Sequence, residues 1–400
     1  MSKNYRIVIS CLLAVSMCGF SLGLRGVSAV SAHGKEFHYK GLSREEFPLL
    51  MGTWLKQGKF APFTRVAKPA FPIPALGEGY IPQGMCYSEY LGCFVLAYYY
   101  PDGARPSLLA LVDADSGECV KQVYLLKPGG MPYTGHAGGA AAWAGHVWVT
   151  SGMRAYRLDA GDLRNARDRG TVRFRDSFKT AACGSFAFCA DDMLWVGDYH
   201  FKGLNPAYFD AQEDPESGNR AWCAGYRLSR GAAQGVAGLA PRSGNSLGGS
   251  TRGDAPAPAA MLSIPDHVQG ACTASTGELL LSTSRTDYLP ADLWVFPSLR
   301  CVLAQAPAYE ITVSPGGVEY KVPLWVFSRD MALYRQMLAP MSEGVCGYGG
   351  DIYAVYESAA LKYRENASLY ADYVFSIPEG AIIPAEDVES VDGEVEVFIE

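Results

Sequence analysis

The chain has 400 residues, 49% of them hydrophobic and 19% charged, with a formal net charge of −7. That balance supplies a sizeable apolar core and excludes disorder as the default state. A net acidic chain without a long basic stripe also argues against nucleic acid as a partner.

The first residues read as an export signal. Lys3 and Arg6 precede an apolar stretch from Ile7 to Leu24, and Val30-Ser31-Ala32 offers a small-residue cleavage site before His33. Residues 1–32 are expected to be a signal peptide or, if uncleaved, a membrane anchor, because a stretch of that length is near the minimum that crosses a bilayer. The body is then expected in the periplasm or secreted, with membrane contact only through an uncleaved N-terminus. Residues 33–80 form a lead segment, with a helix over residues 43–58 and a closing strand. Ser43 and Glu46 supply the capping box of that helix.

From residue 81 onward a weak repeat emerges. Three strings look alike: Gln83-Gly84-Met85-Cys86, Gln269-Gly270-Ala271-Cys272 and Glu343-Gly344-Val345-Cys346. Gly138–Ala141 and Gly184–Ala187 fit the same slot more loosely, which puts Gly84, Gly139, Ser185, Gly270 and Gly344 in register. Each slot is followed by a short apolar run, a tight turn and a second apolar run. Examples are Phe94–Ala97, Val147–Val149, Leu194–Val196, Leu279–Leu281 and Ile352–Val355. Such runs, rich in β-branched and aromatic residues and bounded by Gly, Asp and Ser, are strands. Third strands follow at Leu108–Val112, Ala155–Leu158, Ala224–Leu228, Leu324–Phe327 and Tyr373–Ser376. Fourth strands follow at Cys119–Leu125, Thr171–Phe178, Met261–Ile264 and Leu333–Leu338.

Five such units of four antiparallel strands predict an all-β chain, a five-bladed β-propeller over residues 81–378, with six blades as the alternative count. Inserts are expected at 202–221, 231–259 and 297–323. The last carries a hairpin, Tyr309–Val313 with Val318–Val322, around Pro315-Gly316-Gly317. An acidic tail, 379–400, follows, expected either to pair as an outer strand at Val395–Ile399 or to stay loose.

The repeat gives several cysteines a plain role. Cys86, Cys272 and Cys346 share one position on innermost strands, where a small, mildly apolar side chain is wanted. Cys86 with Cys93 is the remaining disulfide candidate.

In a propeller, the loop leading into the first strand and the loop joining strands two and three emerge on one face, called the upper face below. That face should collect Gln83, His136, His267, Gln269 and Glu343. It should also collect the ends of second strands, including Asp198, Tyr199, His200, Arg285 and Glu357. Loops on a rigid scaffold are where function usually sits, so these ten residues are the candidate binding site, an axial funnel. Imidazole and carboxylate groups admit a divalent metal, yet no local ligand motif requires one, and the cofactor is left unassigned. Asp198 with His200, or Glu343 with His267, could act as an acid–base pair.

Thr134-Gly135-His136-Ala137-Gly138-Gly139, followed by Val147-Trp148-Val149 and Ala155-Tyr156-Arg157-Leu158, resembles segments of secreted bacterial propellers. More broadly the units resemble the NHL and gluconolactonase-type propellers. The resemblance covers Ile81 to Ile377 and implies architecture alone; no catalytic residue carries over. The expected function is binding, at the cell envelope, of an envelope protein, a peptide or a small-molecule ligand. The alternative is a lactonase- or glycan-type hydrolase or lyase with its His, Asp and Glu residues at the axis.

Overall fold

The computed structural model describes residues 60–201, 214–215, 217–232, 234–239 and 254–383. The export segment, the helix expected over 43–58, the tail strand and much of the first two inserts lie outside these residues.

The first strand, β1 (Lys68–Pro72), follows a short helix, Ala61–Val66. Blade 1 then runs outward through β2 (Ile81–Ser88), β3 (Cys93–Tyr99), β4 (Leu108–Asp113) and β5 (Cys119–Leu126). Blade 2 begins with β6 (Gly139–Trp143), β7 (His146–Ser151) and β8 (Arg154–Asp159). The chain then crosses back, and β9 (Thr171–Arg173) adds to blade 1 parallel to β5 before β10 (Asp176–Lys179) completes blade 2. Blade 3 is β11 (Phe186–Ala190), β12 (Met193–Gly197), β13 (Ala221–Arg227) and β14 (Ala260–Ile264). Blade 4 opens with β15 (Val268–Thr273), β16 (Glu278–Thr283) and β17 (Ala291–Ser298). A hairpin of β18 (Tyr309–Val313) and β19 (Tyr320–Val326) then extends blade 3, with β19 parallel to β14. β20 (Tyr334–Leu338) completes blade 4. Blade 5 is β21 (Ser342–Tyr348), β22 (Asp351–Tyr356) and β23 (Tyr373–Pro378), and its outermost strand is β1. The beginning of the propeller thus closes its end.

The count is five blades, in five sheets. Two strands differ from the sequence reading. The fourth strand expected over Thr171–Phe178 is broken in two, because Phe174 turns inward at the crossing point. Its ring is buried against Tyr133 and Tyr156, with centroids 5.1 and 5.0 Å away, and its N–H bonds Leu126. The third strand of blade 4 is Ala291–Ser298, not Leu324–Phe327. The two segments carry the same four residues, Leu293-Trp294-Val295-Phe296 and Leu324-Trp325-Val326-Phe327. Local pattern cannot choose between identical strands; packing does. The candidate Cys86–Cys93 pair is not bonded: both thiols are free, and Cys86 faces Val95 while Cys93 faces Ser88.

Adjacent blades pack face to face through their alternate residues. Between blades 1 and 2, for example, Val95, Ala97, Leu109 and Leu111 share a buried cluster with Val147, Val149 and Leu158. Cys86, Cys272 and Cys346 are buried in such clusters, as small packing residues.

At the axis the slot residues meet backbone to backbone. A Cβ on Gly84 would lie 2.4 Å from the Ala140 nitrogen of blade 2, and one on Gly139 would lie 2.5 Å from the Ala187 nitrogen of blade 3. A Cβ on Gly270 would lie 2.4 Å from the Glu343 carbonyl oxygen of blade 5, and one on Gly344 would lie 2.4 Å from the Met85 nitrogen of blade 1. Glycine occupies these slots because nothing larger fits beside the neighbouring strand. The axis at this level leaves no room for a water-sized sphere.

The tight contact generates a prediction. Gly344→Ala should destabilise the fold by about 3 kcal/mol through forced backbone displacement. Gly161→Ala, in the short helix Ala160–Asn165 with no atom within 4 Å of the new methyl, should be neutral or slightly stabilising. Denaturant midpoints of the two variants check the contrast.

Candidate functional site

The sealed axis forms a floor, and the polar residues above it are aimed by a recurring backbone irregularity. In blades 1, 4 and 5 the ladder between first and second strands slips at the slot: between Pro82 and Met85, between Val268 and Gly270, and between Ser342 and Val345. A bulge re-aims the side chain it carries. The bulged residues are Gln83, Gln269 and Glu343, the polar residues that precede the slot glycines. Blades 2 and 3 pair without a slip, which is why their slots match the motif loosely.

These three side chains meet in one array with Glu357, which follows β22. Gln83 Nε2 donates to Glu357 Oε2 at 3.0 Å, and Gln269 Nε2 donates to Glu343 Oε1 at 3.0 Å. Glu343 also lies close enough to Glu357 to act on its pKa. Glu343 and Glu357 are buried, with 1% and 8% exposure, and burial pushes the Glu357 pKa up to about 7 against the opposing pull of Lys362, Gln83 and Glu343.

Lys362 ties this array to an aromatic wall. Its Nζ donates to Tyr363 Oη at 2.9 Å, and Tyr363 Oη lies 3.5 Å from Tyr99 Oη. The Tyr99 ring stacks on His136 at 4.3 Å between centroids. His136 is exposed at its surface yet crowded by protein, and that crowding, followed by Lys362, holds its pKa low.

The remaining candidates form a second group, at blades 3 and 4. Asp198 is buried and accepts a hydrogen bond from the Cys183 backbone N–H; burial pushes its pKa up to about 7. His200 Nδ1 lies 3.2 Å from Asp266 Oδ2, without hydrogen-bond alignment. His267 holds a left-handed backbone, φ 74°, and its N–H bonds the His200 carbonyl. Tyr199 stands edge-on to His267 at 6.0 Å, and burial, then Arg285, pushes the His267 pKa down to about 4. Arg285 itself is exposed. His200 faces Asp266, and Glu343 accepts from Gln269.

Sequence reasoning missed Lys362, Asp266 and Arg329. Lys362 lies in the loop joining strands two and three of blade 5, where the topology rule could have found it. Asp266 adjoins His267 directly. Arg329 was hidden by the misassigned strand of blade 4. Among the described residues, no group of three or more His, Cys, Asp or Glu side chains is arranged to hold a metal ion.

No protein-family model matches the chain, and no curated protein does. Solved structures do. The chain is similar to glutaminyl cyclase from Myxococcus xanthus at 9% identity, covering 78% of this chain and 95% of that one, with a TM-score of 0.36. It is similar to the PQQ-bound aldose sugar dehydrogenase from Streptomyces coelicolor at 13% identity, covering 78% and 97%, with a TM-score of 0.40. A putative gluconolactonase matches at 12% identity over 78% and 91%, with a TM-score of 0.32. At these values no activity is transferred.

The raised acids make stability depend on pH. A carboxyl group whose pKa rises on folding binds its proton more tightly in the folded chain. Its contribution is therefore present at low pH and is lost as pH climbs from the ordinary range, 3.8 for Asp and 4.5 for Glu, to about 7. Unfolding free energy should fall across that window. Asp198→Asn and Glu357→Gln should each flatten the fall, as measured by denaturant titrations at several pH values.

Proposed function

We propose that this chain is an exported binding propeller of the cell envelope whose partner, a peptide, a protein or a small polar molecule, rests on the upper face above the sealed axis. The observation that carries the reading is the convergence of Gln83, Gln269, Glu343 and Glu357, from three blades, in two neighbouring hydrogen-bonded pairs. Three separate bulges present side chains to one mouth, which packing alone does not require. Exposed apolar residues on the same face support a partner larger than a buried small molecule. Tyr288, Leu289, Leu361 and Tyr370 are 37–55% exposed, on two loops joined by hydrogen bonds from Ser368 to the Asp287 and Tyr288 carbonyls. A floor without a channel also favours a partner laid across the mouth.

One observation favours a second reading, a hydrolase or lyase. Burial pushes the Glu357 pKa up to about 7, where a carboxyl group can give or take a proton near neutral pH. Turnover of lactone or glycan substrates by purified protein, lost in Glu357→Gln, would select that reading.

The binding reading predicts that a partner captured from envelope fractions and identified by mass spectrometry is lost with Glu357→Leu or Leu361→Asp. Glu118→Lys, on an exposed turn of the opposite face, should retain it. Equal capture by all three folded variants would refute the assignment of this face.

A further inference from the structure

The strand that crosses back to blade 1 leaves a sheet edge open. β9 is the outermost strand of that blade and pairs with β5 in parallel, Tyr124 opposite Thr171 and Leu126 opposite Arg173. The Tyr124 N–H donates to the Gly170 carbonyl at 2.8 Å, and the Phe174 N–H donates to the Leu126 carbonyl at 2.9 Å. In a parallel ladder alternate residues face the partner strand, so Gly170, Val172 and Phe174 serve β5. The N–H and C=O groups of Thr171 and Arg173 therefore point away from the sheet, and among the described residues they have no backbone partner. The outermost strand of blade 5 is blunted differently: β1 carries Pro69 and Pro72, which offer no N–H.

A groove of about 310 Å³ runs along the open edge. Thr171 and Arg173 line one wall, and Asp162 and Asn165 of the short helix Ala160–Asn165 line the other, with Arg175 between them. Both walls are pinned. Lys121 Nζ donates to the Arg164 and Ala166 carbonyls at the end of the helix, at 2.8 and 2.9 Å. Arg169, just before β9, grips Glu78 with two hydrogen bonds of 2.7 Å, and Val172 is buried in the cluster between blades 1 and 2. An edge held in this way is ready to accept a strand without further ordering.

The charge of the groove selects what it accepts. Residues 164–175 hold five arginines, Arg164, Arg167, Arg169, Arg173 and Arg175, against one aspartate, Asp168, in a chain of net charge −7. Arg164 lies over the Tyr90 ring, Arg169 is on Glu78, and Arg175 is on Asp159 and Asp162. Arg173 is exposed and, among the described residues, has no hydrogen bond or ion pair. Two copies of the chain paired through β9 would bring like charges together, which disfavours self-pairing.

We propose that β9 takes up an extended acidic segment of a partner protein as a further strand. The segment's backbone pairs with Thr171 and Arg173, and one of its carboxylates sits on the Arg173 guanidinium. β9 lies four strands out from β2, which carries Gln83, so this edge fills independently of the mouth.

The test titrates the full chain with a fluorescently labelled alternating glutamate–valine heptapeptide, with a lysine–valine heptapeptide as control. The acidic peptide should bind and the basic one should not. Arg173→Glu should weaken binding about tenfold or more, because it reverses a charge-assisted donor. Thr171→Pro removes an edge N–H that the fold does not use and should weaken binding about fivefold. If Thr171→Pro fails to fold, Arg173→Glu decides alone, since its side chain is exposed. Arg164→Gln takes one charge from the same helix, from a side chain 4.3 Å above the Tyr90 ring, and should change affinity less than about twofold. Hydrogen exchange reads the strand directly: the bound peptide should slow the Thr171 and Arg173 amides and leave Val172 unchanged. No binding at millimolar peptide, equal binding of both peptides, or equal losses in Arg164→Gln and Arg173→Glu would overturn the proposal. Loss in Glu357→Gln would place the peptide at the mouth, and dimerisation abolished by Thr171→Pro would make a second copy the occupant; either result also overturns it.

Discussion

The fold depends on backbone-to-backbone contact at the axis. Five inner strands converge there, and at four of the five slots the neighbouring strand lies where a Cβ would have to be. Sheets normally pack about 10 Å apart through their side chains. Near the axis of a five-bladed ring that spacing is not available, so side chains must vanish. The cost of glycine's conformational freedom is offset by the apolar clusters that the converging blades bury farther out. Closure by β1 on β23 holds the ring together, because opening it would expose two sheet edges and the core between blades 5 and 1.

The same constraint shapes the upper face. A strand that must bring a glycine against its neighbour, and then continue as a regular ladder, slips by a residue just before that glycine. The slip leaves Gln83, Gln269 or Glu343 pointing at the mouth. The polar array is thus a by-product of axial packing that has been given particular side chains. Its buried carboxyl groups are tolerated because the amides of Gln83 and Gln269 donate to them.

Much of this was legible in the amino-acid sequence. The slot strings predicted the blade count, because Gly84, Gly139, Gly270 and Gly344 answer one steric demand. The topology rule for loops put Gln83, Gln269, Glu343 and Glu357 on one face, since it follows from strand direction alone. Two things were not legible. Leu293–Phe296 and Leu324–Phe327 are the same tetrapeptide, so which of them continues blade 4 depends on long-range packing that no local pattern encodes. Inward burial of Phe174 broke a run that reads as one continuous strand. The electrostatic character of the site also eluded the sequence, because a raised carboxyl pKa arises from burial and a partner distant in the chain, as with Glu357 and Gln83.

Native-state hydrogen exchange at the inner strands measures the closed ring most directly. If the axial contacts make the five inner strands one cooperative unit, the amides of Met85, Ala140, Ala187, Ala271 and Val345 should exchange with a common free energy. That value should equal the global unfolding free energy. Exchange of one blade's inner strand at a distinctly lower free energy, with the other four protected, would contradict the account.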